Sequence, residues 1–152
     1  MVNEKVYTDR RAAAIIRQKH LSITDSRKKI LSLFLEHTDA LTHGDIEHKA
    51  GEKFDRVTIY RTLQTFVEKG IIHTIPTADN AVRYALCKDC TEEHHHDDHI
   101  HFICTHCQKT ICLDDVVFPQ ITLPEGYMSE SVQVVINGVC KDCPPSTPKG
   151  EL

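Results

Sequence analysis

The sequence has 152 residues, of which 40% are hydrophobic and 26% charged, a composition that supports a buried core and excludes a disordered or fibrous chain. The net charge of −4 is divided unevenly: residues 1–86 carry 14 Lys and Arg against 11 Asp and Glu, and residues 87–152 carry 4 against 11. The first part is therefore suited to phosphate and the second to cations. Because residues 1–11 contain no apolar stretch, we expect no export signal and no membrane partner, and a cytoplasmic protein.

The spacing of apolar residues predicts four helices in the first part of the chain. Thr24 or Ser26 is suited to cap the second helix. Thr42 and Asp45 form a capping-box-like start for the third. The predicted helices cover residues 9–19, 25–37, 42–51 and 56–69.

Two predicted strands, residues 71–75 and 81–86, follow the fourth helix and are joined by a turn-rich segment. Helices followed by a β-hairpin predict a winged helix-turn-helix domain over residues 1–86. An apolar stripe on the fourth helix is expected to face the core and to turn a side with Arg and Tyr toward solvent. That side is either an ordinary charged surface or a reader of the DNA major groove; the wing and the basic first helix favour the second interpretation.

The second part of the chain begins with residues 87–98, which mix cysteine, acid and histidine without apolar periodicity and indicate a hinge that carries candidate metal ligands. A small domain is predicted over residues 99–145, followed by a flexible tail over 146–152. Its predicted strands cover residues 100–103, 110–113 and 129–136. The whole chain is therefore predicted to be α+β.

Six of the seven cysteines fall into Cys-x-x-Cys pairs at 87–90, 104–107 and 140–143. The second and third pairs are separated by 32 residues, a layout typical of a closed tetrahedral zinc site with four thiolate ligands. Such a site would staple a domain too small to be stable through its core alone. The alternative is that these thiols are simply buried. The predicted structural zinc ligands are Cys104, Cys107, Cys140 and Cys143.

A second, mixed nitrogen and sulfur site is predicted around His99-x-His101, because residues two apart on a strand point to the same side. The other candidate ligands are His73 on the wing, Cys87 at its end and Cys112 on the neighbouring strand. As alternatives, His73 is a solvated strand residue and Cys112 a small core hydrophobe.

The hinge holds further candidate ligands in the run His94-His95-His96 and in Cys90. His96 and Cys90 are the candidate additional metal ligands. The alternatives are a solvated polar hinge for the histidines and, for Cys90, a thiol open to oxidation.

Several motifs follow one another from about Ser22 to Cys143. They are Thr24-x-x-Arg27-x-x-Ile30-Leu31, Thr58-Ile59-Tyr60-Arg61-Thr62-Leu63, Gly70-Ile71-Ile72, Arg83-Tyr84-Ala85-Leu86 and His99-x-His101-x-x-Cys104-x-x-Cys107. In this combination the chain resembles the ferric uptake regulator family. The resemblance implies a metal-activated transcriptional repressor, not an enzyme, with an N-terminal winged helix and a small C-terminal α/β dimerisation domain.

The resemblance further implies a homodimer that binds double-stranded operator DNA and takes no small-molecule substrate. It places Tyr60 and Arg61 on the operator. It assigns structural zinc to Cys104, Cys107, Cys140 and Cys143. Other candidate DNA-binding residues are Arg27, Arg56 and Thr58.

The sensing metal is predicted from departures within the family. Ala40 and Ala85 stand where iron-type members have a histidine and a glutamate, and Cys112 replaces an acid. His73 and Cys87 resemble the ligands of the zinc uptake regulator branch. Thiolates favour a softer ion than iron(II), so zinc is the leading regulatory cofactor and genes for metal uptake the expected targets.

Other interpretations remain open at this point. Within the family, the alternative is an iron(II)-responsive or peroxide-sensing regulator. Outside it, a zinc hydrolase would need a general base, for which Glu92 and Glu93 are the nearby candidates, and a zinc-storage protein would leave the fourth helix without a purpose. The family's auxiliary metal site is not expected here, because Pro119, Pro124 and Val132 occupy that region.

Overall fold

The computed structural model describes residues 3–37, 39–77, 80–86, 100–113, 115–130 and 132–144. The chain divides into two compact units, Met1–His95 and His96–Leu152. Among the described residues, none of the helices combines the length and the apolar character needed to cross a membrane.

The first unit contains four helices and a small sheet. Its elements are α1 (Glu4–Gln18), α2 (Asp25–Glu36), β1 (Leu41–Thr42), α3 (His43–Ala50), α4 (Arg56–Glu68), β2 (Ile72–Ile75) and β3 (Arg83–Leu86). The second unit contains β4 (Ile100–Cys104), β5 (Thr110–Cys112) and β6 (Val134–Gly138). The combination of helices and sheets confirms the predicted α+β class.

Local sequence determines where the helices begin. The Thr24 hydroxyl accepts a hydrogen bond from the Arg27 backbone N–H at 3.2 Å and caps α2. At the start of α3, the Thr42 hydroxyl accepts from the Asp45 N–H at 3.1 Å, and the Asp45 carboxylate accepts from the Thr42 N–H at 2.9 Å. This reciprocal capping box satisfies two backbone donors at once, as the sequence predicted.

The core of the first unit lies where the apolar faces of the helices meet. Side chains with no exposed surface come from four different helices, among them Ile16, Ile30, Ile46, Ile59 and Phe66. The wing closes one side of this core, since β2 and β3 contribute Ile72, Ile75 and Ala85 to the buried set. Its sheet has the antiparallel order β1-β3-β2. This unit therefore has a complete apolar core of its own.

The sheet of the second unit has the order β5-β4-β6, with β4 in the centre. β5 runs antiparallel to β4, and β6 runs parallel to it. A central strand is covered on both edges, and four of the five residues of β4 are buried. The parallel pairing matters for the site, because it brings the C-terminal ends of β4 and β6 to the same edge.

The largest differences from the prediction concern the start of α1, the strand β1 and the start of β6. α1 begins at Glu4 instead of residue 9. Asn3 caps it, and the first position on its buried face is the polar Thr8, which gives no apolar signal in the sequence. The two-residue strand β1 was not predicted; it is recognisable only through its pairing with β3. β6 begins at Val134 instead of residue 129, since its first paired residue lies opposite Ile100.

Candidate metal centres and nucleic-acid interface

The first cysteine knuckle is a tight turn between β4 and β5. The Gln108 N–H donates to the Cys104 carbonyl at 2.9 Å, and the Cys104 N–H donates to the Lys109 carbonyl at 2.9 Å. Gln108 closes the turn in the left-handed region, with φ of 62°. The turn folds Cys107 back toward the end of β4, so that both thiols of the pair face one point.

The second knuckle follows β6 and is held beside the first by backbone pairing. Gly138 lies opposite Cys104 in the parallel register, and the Thr105 N–H donates to the Gly138 carbonyl at 2.8 Å. The Cys143 N–H donates to the Cys140 carbonyl at 3.1 Å, which closes the second turn. Neighbouring strands thus deliver two cysteine pairs to the same edge of the sheet.

The four sulfur atoms form a compact group with all atoms within 4.8 Å of one another. The Sγ atoms of Cys104 and Cys143 are 3.8 Å apart, and so are those of Cys107 and Cys140. A tetrahedral zinc ion with bonds of about 2.3 Å to sulfur requires sulfur atoms about 3.8 Å apart, whereas a disulfide needs about 2.05 Å. The described cysteines form no disulfide. The donor set and its spacing therefore fit a closed, structural zinc site.

The backbone around the knuckles favours a thiolate at the innermost position. Backbone N–H groups of Cys107 and Cys140 donate to the Cys104 sulfur, the latter at 3.4 Å, and lower the pKa of Cys104 to about 6. The neighbouring thiol of Cys140 and burial raise the pKa of Cys143 to about 12. With one thiolate already favoured, the remaining thiols would release their protons to solvent when a divalent cation binds.

Two predicted regulatory ligands lie side by side in the second unit. His101, on the central strand, is directly opposite Cys112 on β5, and their ligand atoms lie within 4.8 Å of each other. His101 is 3% exposed, while Cys112 is half-buried. An imidazole and a thiol at this distance are able to share one ion of the zinc type.

The other predicted regulatory ligands lie in the first unit or outside the described residues. His73 is half-buried on β2 in the first unit, where it lies opposite Ala85. Cys87 and His99, like the additional candidates Cys90 and His96, lie outside the described residues. Their part in a metal site stays a prediction.

The fourth helix carries most of the predicted DNA-binding residues. The Asp55 carboxylate caps it by accepting from the Thr58 N–H at 2.7 Å. Hydrogen bonds from the Thr58 hydroxyl and from this N–H hold the pKa of Asp55 below its ordinary value. Tyr60 is 53% exposed, and Arg61 is also exposed. Thr58 is half-buried and forms part of the capped first turn.

Two predicted arginines make contacts within the first unit. Arg56 Nε lies 3.4 Å from a Glu47 carboxylate oxygen and so links the start of α4 to α3. Arg27 Nη1 donates to the Ser22 carbonyl at 2.7 Å and to its hydroxyl at 2.8 Å. Arg27 therefore fastens the segment before α2, in addition to any contact with DNA.

The sequence interpretation missed two exposed residues and one buried residue of α4. Val57, 55% exposed, and Gln64 share the solvent face with Tyr60 and Arg61. Their spacing of three, four and seven residues is the signal that could have identified them. Thr62 is 6% exposed, because its hydroxyl donates to the Thr58 carbonyl at 2.8 Å and needs no water.

Comparison with known proteins identifies the family. The model of the ferric uptake regulator family matches residues 18–135. The ferric uptake regulation protein of Staphylococcus aureus is 31% identical over 136 residues, covering 87% of this chain and 95% of that protein. The zinc uptake regulation protein of Mycobacterium tuberculosis is 28% identical over 125 residues, covering 77% and 91%. The chain belongs to the ferric uptake regulator family and is therefore a metal-responsive regulator, not an enzyme.

The fold agrees with solved structures of the same family. A zinc uptake regulator complexed with zinc and DNA matches with a TM-score of 0.65 at 19% identity, covering 93% of this chain and 95% of that one. At this level of identity the match establishes the shared fold. The winged helix-turn-helix followed by a small cysteine-containing domain is thus confirmed.

Proposed function

We propose that this chain is a zinc-responsive transcriptional repressor of metal-uptake genes that binds operator DNA as a homodimer. The observation that carries the proposal is the pairing of the buried His101 with Cys112 in the second unit. A thiolate beside an imidazole is a donor pair that suits zinc better than iron(II), for which carboxylate and imidazole sets are more favourable. Membership of a family of metal-responsive regulators supports the proposed response to a metal ion.

The chain is proposed to hold two ions with separate roles. The structural ion is assigned to Cys104, Cys107, Cys140 and Cys143. The regulatory ion is assigned to His101 and Cys112, with His73, Cys87 and His99 as its further ligands. When bound, each ion would link its ligands through coordination bonds and would catalyse no reaction. The ligand residues would therefore act by fixing backbone segments in place.

The regulatory ion is proposed to act by restricting the orientation of α4, the proposed recognition helix. In a homodimer, two copies of α4 must reach major grooves about 34 Å apart, one turn of the duplex. An ion with ligands from both units would limit the orientations that each copy can adopt and favour this spacing. By linkage, DNA that selects the same state must tighten zinc binding by the same factor.

The DNA contact is proposed to include Tyr60 and Arg61, supported by their exposure on α4. An arginine is able to donate two hydrogen bonds to a guanine edge, a contact of about 1–3 kcal/mol. We expect Arg61→Ala to weaken binding to a selected DNA duplex about 5- to 150-fold at fixed salt, with zinc content and melting temperature unchanged. A lower melting temperature with unchanged affinity would instead place Arg61 in the fold.

An iron-responsive regulator is the second candidate, favoured by the 31% identity to a ferric uptake regulation protein. The two functions are separated by measuring binding of a selected DNA duplex in buffered free zinc and, without oxygen, in buffered iron(II). The zinc proposal expects half-maximal binding at a lower free concentration of zinc than of iron(II). Activation by iron(II) at concentrations below the zinc requirement would support the alternative and overturn the zinc proposal.

A further inference from the structure

The solvent face of α4 contains two residues that the DNA-binding assignment has not used. With about 100° between successive helix residues, Val57, Tyr60, Arg61 and Gln64 fall within about 100° of one another. Val57 and Gln64 lie near the middle of this arc, and Tyr60 and Arg61 lie at its two edges. The residues nearest a docked partner are therefore the two in the middle.

The opposite side of the helix is buried in the core. Ile59, Leu63 and Phe66 have no exposed surface and centre on a direction about 145° from that of Val57 and Gln64. The helix consequently has little freedom to rotate and present another face. Whatever contacts α4 from outside meets Val57 and Gln64 first.

The charge around this face suits DNA along the first three turns of the helix. Arg56 and Arg61 lie on either side of Val57 in the sequence, and both are exposed. Glu68, one turn beyond Gln64, is also exposed and would repel phosphate. The contact is therefore expected to end near Gln64, about 10 Å along the axis from Val57, which places the two residues on different base pairs.

We propose that Val57 and Gln64 are specificity-determining residues that select A·T base pairs at two positions in each half-site. The branched side chain of Val57, 55% exposed, would pack on the C5-methyl group of thymine. The Gln64 amide is able to donate an N–H to adenine N7 while its carbonyl oxygen accepts from adenine N6. This inference rests on the proposed DNA-binding function and adds to it which bases are read.

The base preference can be measured directly. Full-length, zinc-loaded protein would be used to select duplexes from a random-sequence pool, and the preferred base at each position compared between wild type and variants. Gln64→Ala should lose an adenine preference at one position per half-site, and Gln64→Arg should change it to guanine, the base whose O6 and N7 accept from arginine. Gln120→Ala, the same change at an exposed residue of the second unit, should leave every preference as in wild type.

The thymine contact has its own probe, the selected duplex with uracil in place of thymine at one position at a time. Loss of one methyl contact should weaken wild-type binding about 3- to 5-fold at a single position, since a buried methyl group contributes about 0.8 kcal/mol. The Val57→Ala protein should bind the two duplexes equally. Uracil tolerated at every position by wild type, or variants with unchanged preferences, would overturn the proposal. Failure to select any duplex would instead contradict the proposed function itself.

Discussion

Single residues around the zinc knuckles are positioned by backbone contacts more than by their own packing. Gly138 is the best example, because it lies opposite Cys104 and its carbonyl accepts from the Thr105 N–H and hydroxyl, at 2.8 and 3.2 Å. The ring of Phe102 covers the place where a side chain at position 138 would begin. A Cβ atom there would lie 3.1 Å from Phe102 Cε2 and 3.3 Å from Cζ. The absence of a side chain at Gly138 therefore sets how closely β6 approaches β4.

We expect Gly138→Ala to lower the free energy of unfolding by about 1–3 kcal/mol, the usual cost of adding a methyl group to a packed contact. In the Phe102→Ala background the same substitution should be nearly neutral, because the ring it meets is absent. Urea unfolding of the wild type, the two single variants and the double variant, each with zinc bound, measures this coupling. An equal cost of Gly138→Ala in both backgrounds would show that Phe102 is not the obstacle.

At the scale of elements, α4 depends on its cap as well as on its buried stripe. Asp55 is exposed and satisfies a donor of the first turn, from which Arg56 and Val57 project. A frayed first turn would displace these side chains, since four N–H groups at a helix start lack partners within the helix. The cap thus links helix stability to the proposed DNA contact.

We expect Asp55→Ala to lower the melting temperature and Asp55→Asn to lower it much less, because asparagine caps a helix nearly as well as aspartate. The pKa of Asp55 is lowered in the folded chain, so its charge stabilises the fold above the unfolded pKa of about 3.9. That stabilisation is lost as pH falls through the lower, folded pKa. Thermal melts should accordingly show a difference between wild type and Asp55→Ala at pH 7 that shrinks as the pH falls below the ordinary aspartate pKa of about 3.9. A difference independent of pH would exclude a charge-based cap.

The elements also show which parts of the structure can be predicted from sequence. Helices α2, α3 and α4 were predicted well, because their caps and apolar spacing are local signals. The strand β1 and the true start of β6 were not, since a strand is defined by a distant partner. The four-cysteine cluster was predicted because its ligands come in close pairs. The pairing of His101 with Cys112 depended on strand register. Val57 and Gln64 were missed because residue type was considered and their helical spacing from Tyr60 and Arg61 was not.

On the scale of the whole molecule, the two units differ in what stabilises them. The first has an apolar core drawn from four helices and the wing, whereas the described part of the second buries a few side chains, chiefly Ile100, Ile103 and Thr110, beside the cysteine cluster. Several of its apolar side chains are exposed, including Val117 at 89% and Met128 at 92%. Small domains with few buried residues commonly depend on a metal for stability.

We expect a strong chelator to unfold the second unit while the first stays folded. Hydrogen exchange should show that amides of α2, α4 and β3 remain protected after zinc is removed, and that those of β4 and β6 lose protection. Adding zinc back under reducing conditions should restore the protection of the amides in β4 and β6. Simultaneous loss in both units, or no loss in either, would contradict the assignment of the structural ion to the second unit alone.

The central claim is that occupation of the second metal site produces DNA binding. Its most direct test is to measure zinc per chain and the DNA-bound fraction in the same samples across one series of buffered free zinc. We predict that DNA binding follows the rise from about one to about two zinc ions per chain, and that Cys112→Ala stays a dimer with one zinc and binds weakly where wild type is saturated. Full DNA binding by the wild-type protein with one zinc per chain would contradict the claim.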